Sequence, residues 1–355
     1  VKFQLHYNNK EGISNEGNSL AFQNALTFCE LWNSGQESFT INTSGSTGTP
    51  KAIEITRTQM QASAKMTAAA LGLSNGDNAL VCLNTGYIAG KMMLVRGMVN
   101  DLNLYITEPS SNPLDNLPKG LRIDFMAVVP LQLESIIEAG GFGIHKLNQM
   151  KAVIVGGGSV SSELAQIIKQ LSCPVFETYG MTETVSHIAL KRMNGADASD
   201  YFEVLNGVTI AQDDRGCLTI NSILTNNETI ITNDVVNVIE KNRFEWLGRA
   251  DNVINTGGIK IHPERLENQV SVILHKQSVK CDLVLAGVPD SSLGEKVVLI
   301  LEVEEIAVDR LENIKKSLKE FLPNHHAPKE IYCLEKFVYT DTGKVKRKET
   351  VNLIY

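Results

Sequence analysis

Residues 122–130 read RIDFMAVVP, an apolar run of the kind that forms a buried strand. LQLESIIEA (131–139) follows as a helix, KAVIV (151–155) as a strand, SSELAQIIKQL (161–171) as a helix and PVFET (174–178) as a strand. Strand–helix–strand–helix–strand predicts neighbouring parallel strands joined by right-handed crossovers, hence an α/β fold. Ligands in such sheets bind beyond the carboxyl ends of the strands. Two conspicuous segments follow those ends, GGGS at 156–159 and YGMTET at 179–184. Adjacent parallel strands would bring both into one crevice.

Upstream, a helix is expected from about Ser19 to Leu31, then a strand at FTIN (39–42). TSGSTGTPK (43–51) follows, with five side-chain hydroxyls and two glycines in nine residues. AIEIT (52–56) reads as another strand and TQMQASAKMTAAALGL (58–73) as a helix that stops near Gly72. The loop therefore joins strand to strand, whereas a Walker A loop joins strand to helix as GxxxxGK[ST]. It reads either as a polar hairpin turn or as another kind of anion loop. In the second reading, glycines turn backbone N–H groups inward and hydroxyls add donors.

Downstream, residues 204–247 alternate in short strands separated by turns such as DDRG and TNNET, the pattern of a small antiparallel sheet or barrel. LGRADNVINTGGIKIHPERLE (247–267) reads as a linker or exposed loop. DLVLAGVPD and KVVLILEVE suit a hairpin, DRLENIKKSLKEFL a helix and EIYCLEKFV a strand. The expected organisation is a large N-terminal domain (1–247) with parallel αβ layers and a small β-barrel-like part. A boundary at 248–251 and a small α+β domain (252–355) complete it.

At 355 residues, 43% hydrophobic and 21% charged, the chain has the composition of an ordinary globular protein with room for two domains. No apolar run approaches the eighteen or so residues of a membrane span, and the opening VKFQLHYNNKEG is too polar for a signal peptide. A net charge of −7 argues against a general nucleic-acid binder. Six scattered cysteines without a CxxC pair fit a reduced, cytoplasmic protein with buried thiols.

Taken singly, each polar motif has a plain structural reading. Glu183 could be a surface carboxylate, Asp234 a turn former in a TND turn, and Arg249 a solvated linker charge. GGGSVS nearly satisfies GxGxxG, with Glu177 at the distance of a ribose-binding acid, so an NAD-dependent oxidoreductase is a rival from another class. Ser161 stands where its third glycine belongs, and that reading explains nothing else in the chain.

Taken together, TSGSTGTPK, GGG, YGMTE, TND, LGRADNVINTGGIKIHPERLE and DTGKVKRK occur in an order that resembles the adenylate-forming superfamily. That superfamily comprises acyl-CoA synthetases, peptide-synthetase adenylation domains and firefly luciferase, and the resemblance spans Thr43 to Lys348. It implies an ATP- and Mg2+-dependent ligase: a carboxylate attacks the α-phosphate of ATP, and a thiol, that of CoA, then displaces AMP. The implied phosphate loop is Thr43, Ser44, Gly45, Ser46, Thr47, Gly48 and Lys51. Gly156, Gly157 and Gly158 flank adenine, with Tyr179 near adenine and acyl group. Thr182 contacts the α-phosphate and Glu183 the magnesium, a hard cation suited to one carboxylate plus phosphate oxygens. Asp234 accepts the ribose hydroxyls beside Arg249. Lys344 bridges acyl carboxylate and α-phosphate, where charge builds up in the transition state, while Lys346, Arg347 and Lys348 read as a basic tail. Asp251 is the implied hinge of a mobile C-terminal domain, whose rotation removes Lys344 and brings in Gly257 and Gly258 for the CoA step. The combined presence of Lys344, Glu183, Asp234 and Arg249 argues against a catalytically dead adenylate binder.

Two departures stand out. Family members carry far more chain before the phosphate loop than the forty-two residues here. The covering of the core's outer face is therefore open, with a homodimer as one remedy. The family's histidine after the LPL-like segment is absent, with Tyr87 near its place, and His187 is a candidate to share the acyl pocket. YGMTETVSHIAL and the compact length most resemble the o-succinylbenzoate–CoA ligases of menaquinone biosynthesis. Their substrate has a second, non-reacting carboxylate that needs a cation. Arg96 in KMMLVRG matches an arginine typical of those ligases, or else forms a structural ion pair. A ligase for another aryl or short-chain acid is the alternative.

Overall fold

The computed structural model describes residues 5–9, 12–14, 19–42, 52–115, 117–340 and 345–355. The phosphate-loop candidates Thr43, Ser44, Gly45, Ser46, Thr47, Gly48 and Lys51 lie outside the described residues, as does Lys344.

The apolar runs fold as buried strands. Phe125–Val128 and Ala152–Val155 are buried at every position, as strands covered on both faces must be. Parallel pairing runs from Val175–Gly180 through Ala152–Val155, Phe125–Val128 and Asn78–Val81 to Asn103–Ile106 and Leu5–Asn9. Helices cover both faces. On one side Leu20–Asn33, Arg57–Leu71 and Ile88–Asn100 bury Phe28, Trp32, Met60, Met92 and Leu94. On the other, Pro130–Ala139, Gly141–Leu147 and Ser162–Ile168 bury Leu133, Ile136, Leu147 and Leu164. Local signals set the helix ends. Thr56 and Gln59 form a capping box and Gly72, in the left-handed conformation, stops the same helix.

The antiparallel strands expected as a small sheet or barrel are present and are continuous with this sheet. From Val175–Gly180 it continues through His187–Arg192, Phe202–Val204, Arg243–Arg249, Ile230–Glu240 and Cys217–Ser222 to Val208–Gln212, thirteen strands among the described residues. The switch from parallel to antiparallel pairing occurs where YGMTET ends.

A second sheet, of five strands among the described residues, begins at Ile254; one core lies under the helices Pro263–Lys276 and Val308–Phe321, and another packs Val284, Val298 and Ile300 against Phe337, Val351 and Ile354. Residues 247–267 are therefore not a loop. Ile254–Thr256 and Ile259–Ile261 form a hairpin, and Pro263 starts a helix. Between the sheets, Gly248 adopts φ +146, and a Cβ there would meet a Glu264 carboxylate oxygen at 2.3 Å. Glu264 in turn accepts from Asn252 Nδ2 at 2.6 Å. Arg347 is not a free tail residue either. Its guanidinium forks onto Glu267, with Nη2 2.9 Å from Oε2, and donates to the Leu285 carbonyl. Among the described residues no helix is long and apolar enough to cross a membrane.

Candidate active site

The crevice expected from topology exists. Leu83 and Asn84, Val129, Gly156 and Gly157, and Gly180 to Thr182 follow four adjacent parallel strands and line one cavity of about 560 Å3. Its inner wall is Ile88, Arg96, Val185, Ser186 and His187, and Tyr87 stands at it half exposed. The lining is mostly apolar, and Arg96 is its one charged side chain among the described residues.

Arg96 is held in place by neutral groups. It is buried, donates from Nη2 to Ser186 Oγ at 2.8 Å, and directs Nη1 only at the Met93 sulfur, 3.7 Å away. Its Nε has no partner, and no carboxylate pairs with it among the described residues. Burial pushes its pKa down to about 10. A buried guanidinium with unused donors at a cavity wall has spare capacity for an anion, and the structural ion pair that was the alternative is not seen among the described residues. His187, also buried, contacts Thr67 Oγ1 through Nε2 at 3.1 Å. Burial, reinforced by Arg96, holds its pKa well below the usual histidine value, so the imidazole is neutral.

A strained turn brings Ser186 and His187 to Arg96. Val185 has φ 65 and ψ −53, and the Ser186 N–H donates to the Thr184 carbonyl at 2.7 Å, a γ-turn of the rare kind. For a β-branched residue this costs about 1–3 kcal/mol, strain of the sort retained at functional sites. At Gly180, paired with His187, a Cβ would lie 2.3 Å from the Ser186 carbonyl oxygen, so only glycine admits this approach.

A second cluster surrounds Asp234. The residue was expected in a turn but lies within the strand Ile230–Glu240, opposite Arg249. The buried carboxylate accepts from the Tyr179 hydroxyl at 2.7 Å on Oδ2. On Oδ1 it accepts from Trp246 Nε1 and Arg249 Nη1, both at 3.3 Å. Tyr179 packs edge-on against Phe244, and burial followed by the Asp234 charge raises its phenol pKa. Arg249 also faces Asp251, 3.7 Å away, and Asn233 Nδ2 donates to Asp251 at 3.3 Å.

Thus Arg96, Tyr87, His187, Gly156, Gly157 and Thr182 share the cavity, while Tyr179, Asp234, Arg249 and Asp251 form a connected network. Glu183 is exposed on the short turn beside Thr182. Gly158, although next to the cavity glycines, is not part of its lining. Gly257 and Gly258 form the tip of the hairpin in the small sheet. Sequence reasoning missed Thr67, Ser186 and Trp246. They carry no motif signal and become neighbours of the site only through the fold.

Glu177 has another partner. It is ion-paired with Lys191 on the adjacent antiparallel strand. Ser161, in the place of the third glycine, caps the helix Ser162–Ile168. These two residues remove the physical basis of the NAD-binding reading.

The model of the family described as AMP-binding enzyme matches residues 18–213, more than half of the chain. A protein from Listeria monocytogenes serotype 4b (strain F2365) named 2-succinylbenzoate–CoA ligase is 27% identical over 346 residues, covering 92% of this chain and 72% of its own. One of the same name from Oceanobacillus iheyensis is 23% identical, covering 97% and 74%. Among solved structures, an acyl-CoA synthetase (AMP-forming)/AMP-acid ligase II-like protein from Dyadobacter fermentans is 42% identical over 96% of each chain, with a TM-score of 0.65. The o-succinylbenzoate CoA synthetase from Bacillus subtilis, in complex with its acyl-adenylate intermediate, is 20% identical, covers 87% of this chain and 68% of its own, and has a TM-score of 0.73. At that identity it is a likeness of fold.

Proposed function

Because this chain belongs to the AMP-binding enzyme family, we propose that it activates a carboxylic acid with ATP and passes the acyl group to CoA. The acid in this reading is o-succinylbenzoate, an aryl acid with a second carboxylate, which places the enzyme in menaquinone biosynthesis. The observation that carries the substrate reading is Arg96, a buried cation with neutral partners at the wall of an otherwise apolar cavity. The names of the Listeria and Oceanobacillus relatives agree with it.

The residues present fit the nucleotide. Gly156 and Gly157 leave bare backbone at the cavity, and a Cβ on Gly156 would meet Thr178 Oγ1 at 2.2 Å. Asp234 offers a buried carboxylate for ribose hydroxyls. Glu183, exposed and single, suits a magnesium ion that arrives mostly coordinated by phosphate and water, where it would neutralise phosphate charge. In this reading Thr43, Ser44, Gly45, Ser46, Thr47, Gly48 and Lys51 hold the β- and γ-phosphates. Thr182 and Lys344 hold the α-phosphate, Asp251 is the hinge between 1–247 and 252–355, and Gly257 and Gly258 face CoA.

The test is pyrophosphate release over a panel of mono- and dicarboxylic acids, with and without CoA. Release with the aryl diacid supports the reading. Preference for a monoacid would leave an acyl-CoA ligase of other specificity, and no release with any acid would reject the activity.

A further inference from the structure

Behind Arg96 a chain of hydroxyl and imidazole groups, buried at Thr67 and His187 and half-buried at Ser186, runs from the helix Arg57–Leu71 to the strand His187–Arg192. Thr67 Oγ1 lies 2.9 Å from the Ser63 carbonyl oxygen and 3.1 Å from His187 Nε2. A threonine hydroxyl has one proton, and here it returns to the carbonyl four residues earlier. Toward the imidazole the oxygen can then only accept. His187 therefore carries its hydrogen on Nε2, and Nδ1 is bare.

The direction of each bond passes to the next group. Ser186 Oγ accepts from Arg96 Nη2 at 2.8 Å, and its own proton faces the bare His187 Nδ1, 3.5 Å away. The opposite tautomer would put two donors, Nδ1–H and the guanidinium, on the serine oxygen and leave the serine proton without its acceptor on His187. An imidazolium would do the same and add a second positive charge beside Arg96. The scaffold is tied as well. Asn100 Nδ2 donates to the carbonyls of both Arg96 and Ala64, joining the two helices.

We propose that Thr67 is a positioning residue that, through the tautomer of His187, draws the Ser186 proton to the imidazole, aims a serine lone pair at Arg96 and so fixes the guanidinium for the substrate's second carboxylate. This rests on the reading of Arg96 given above. Thr67 touches no substrate atom in this scheme. It selects the aryl diacid by holding Arg96, the one cation lining the pocket among the described residues, in a single orientation.

The test pairs spectroscopy on the whole chain with kinetics. In 15N-histidine spectra of the wild type, His187, assigned by its loss in His187→Gln, should show the Nε2–H tautomer. Thr67→Val, close in shape but without a hydroxyl, should lose that preference, and Thr67→Ser should keep it. In pyrophosphate release, Thr67→Val should raise KM for the aryl diacid by about tenfold, the scale of one buried hydrogen bond. Its kcat should hold within about twofold, a matched monoacid should be unaffected, and Thr67→Ser should restore the diacid. An Nδ1–H or charged His187 in the wild type overturns the proposal whatever the enzyme's substrate. Equal losses for both acids, or identical behaviour of the Val and Ser variants, overturn it as well. A wild type that activates no acid rejects the proposed activity and with it the selectivity role, while the spectra still decide the tautomer chain.

Discussion

The hydroxyl of Tyr179 donates a 2.7 Å hydrogen bond to the carboxylate of Asp234, joining the YGMTE segment to a strand on the antiparallel side of the sheet. Arg249 and Trp246 hold the other oxygen, so the carboxylate is fixed from three directions. If it receives the ribose, its orientation matters as much as its charge. Tyr179→Phe should weaken AMP binding about tenfold, the scale of a hydrogen bond to a charged group, and Asp234→Asn should weaken it more. Calorimetric titration of AMP measures both, and unchanged affinity in the two variants would place the ribose elsewhere.

Arg96 should discriminate between acids. Truncating one member of a desolvated charge pair costs about 2–5 kcal/mol, so Arg96→Ala should lose most of its kcat/KM for the diacid. A matched monoacid, which offers no partner, should be affected far less. Equal losses would mean that Arg96 only supports the wall of the cavity.

The two half-reactions should separate. Lys344→Ala should slow adenylate formation by ~10²–10³-fold, the scale for one preorganised electrostatic group. It should still make thioester from presynthesised adenylate. Asp251→Pro, with φ locked at the proposed hinge, should do the reverse. Single-turnover measurements decide, and loss of both steps in both variants would refute the division of labour.

His187 also makes stability depend on pH. Its folded pKa lies below the unfolded value of about 6.5. As pH falls through that value the unfolded chain takes up a proton that the folded chain refuses. Stability should therefore be complete above the unfolded pKa and decline below it, by up to ~1.4 kcal/mol per pH unit from this group. Arg96 adds to the depression, and Thr67 and Ser186 offer no negative charge to offset it. Denaturant unfolding at pH 7 and pH 5.5 should show a smaller decline in His187→Gln than in the wild type. Equal declines would show that other groups dominate.

The sequence alone determined the alternation of strands and helices from Arg122 to Thr178 and, through it, the crevice shared by GGG and YGMT. Both rest on local periodicity and on a handedness rule that nearly every parallel crossover obeys. It also determined the helix that stops at Gly72, because capping and left-handed backbone are properties of a few adjacent residues. Only the tertiary structure decided that Asp234 sits in a strand, since its pairing with Arg249 is made by a segment fifteen residues on. It likewise turned a supposed basic tail into the Arg347–Glu267 pair. The arrangement around Arg96 was the least legible of all. Thr67 and His187 are 120 residues apart, and a strained Val185 completes the approach. Hydrogen-bond direction in a buried chain depends on which groups meet and which protons are already committed, and no short stretch of sequence contains that information.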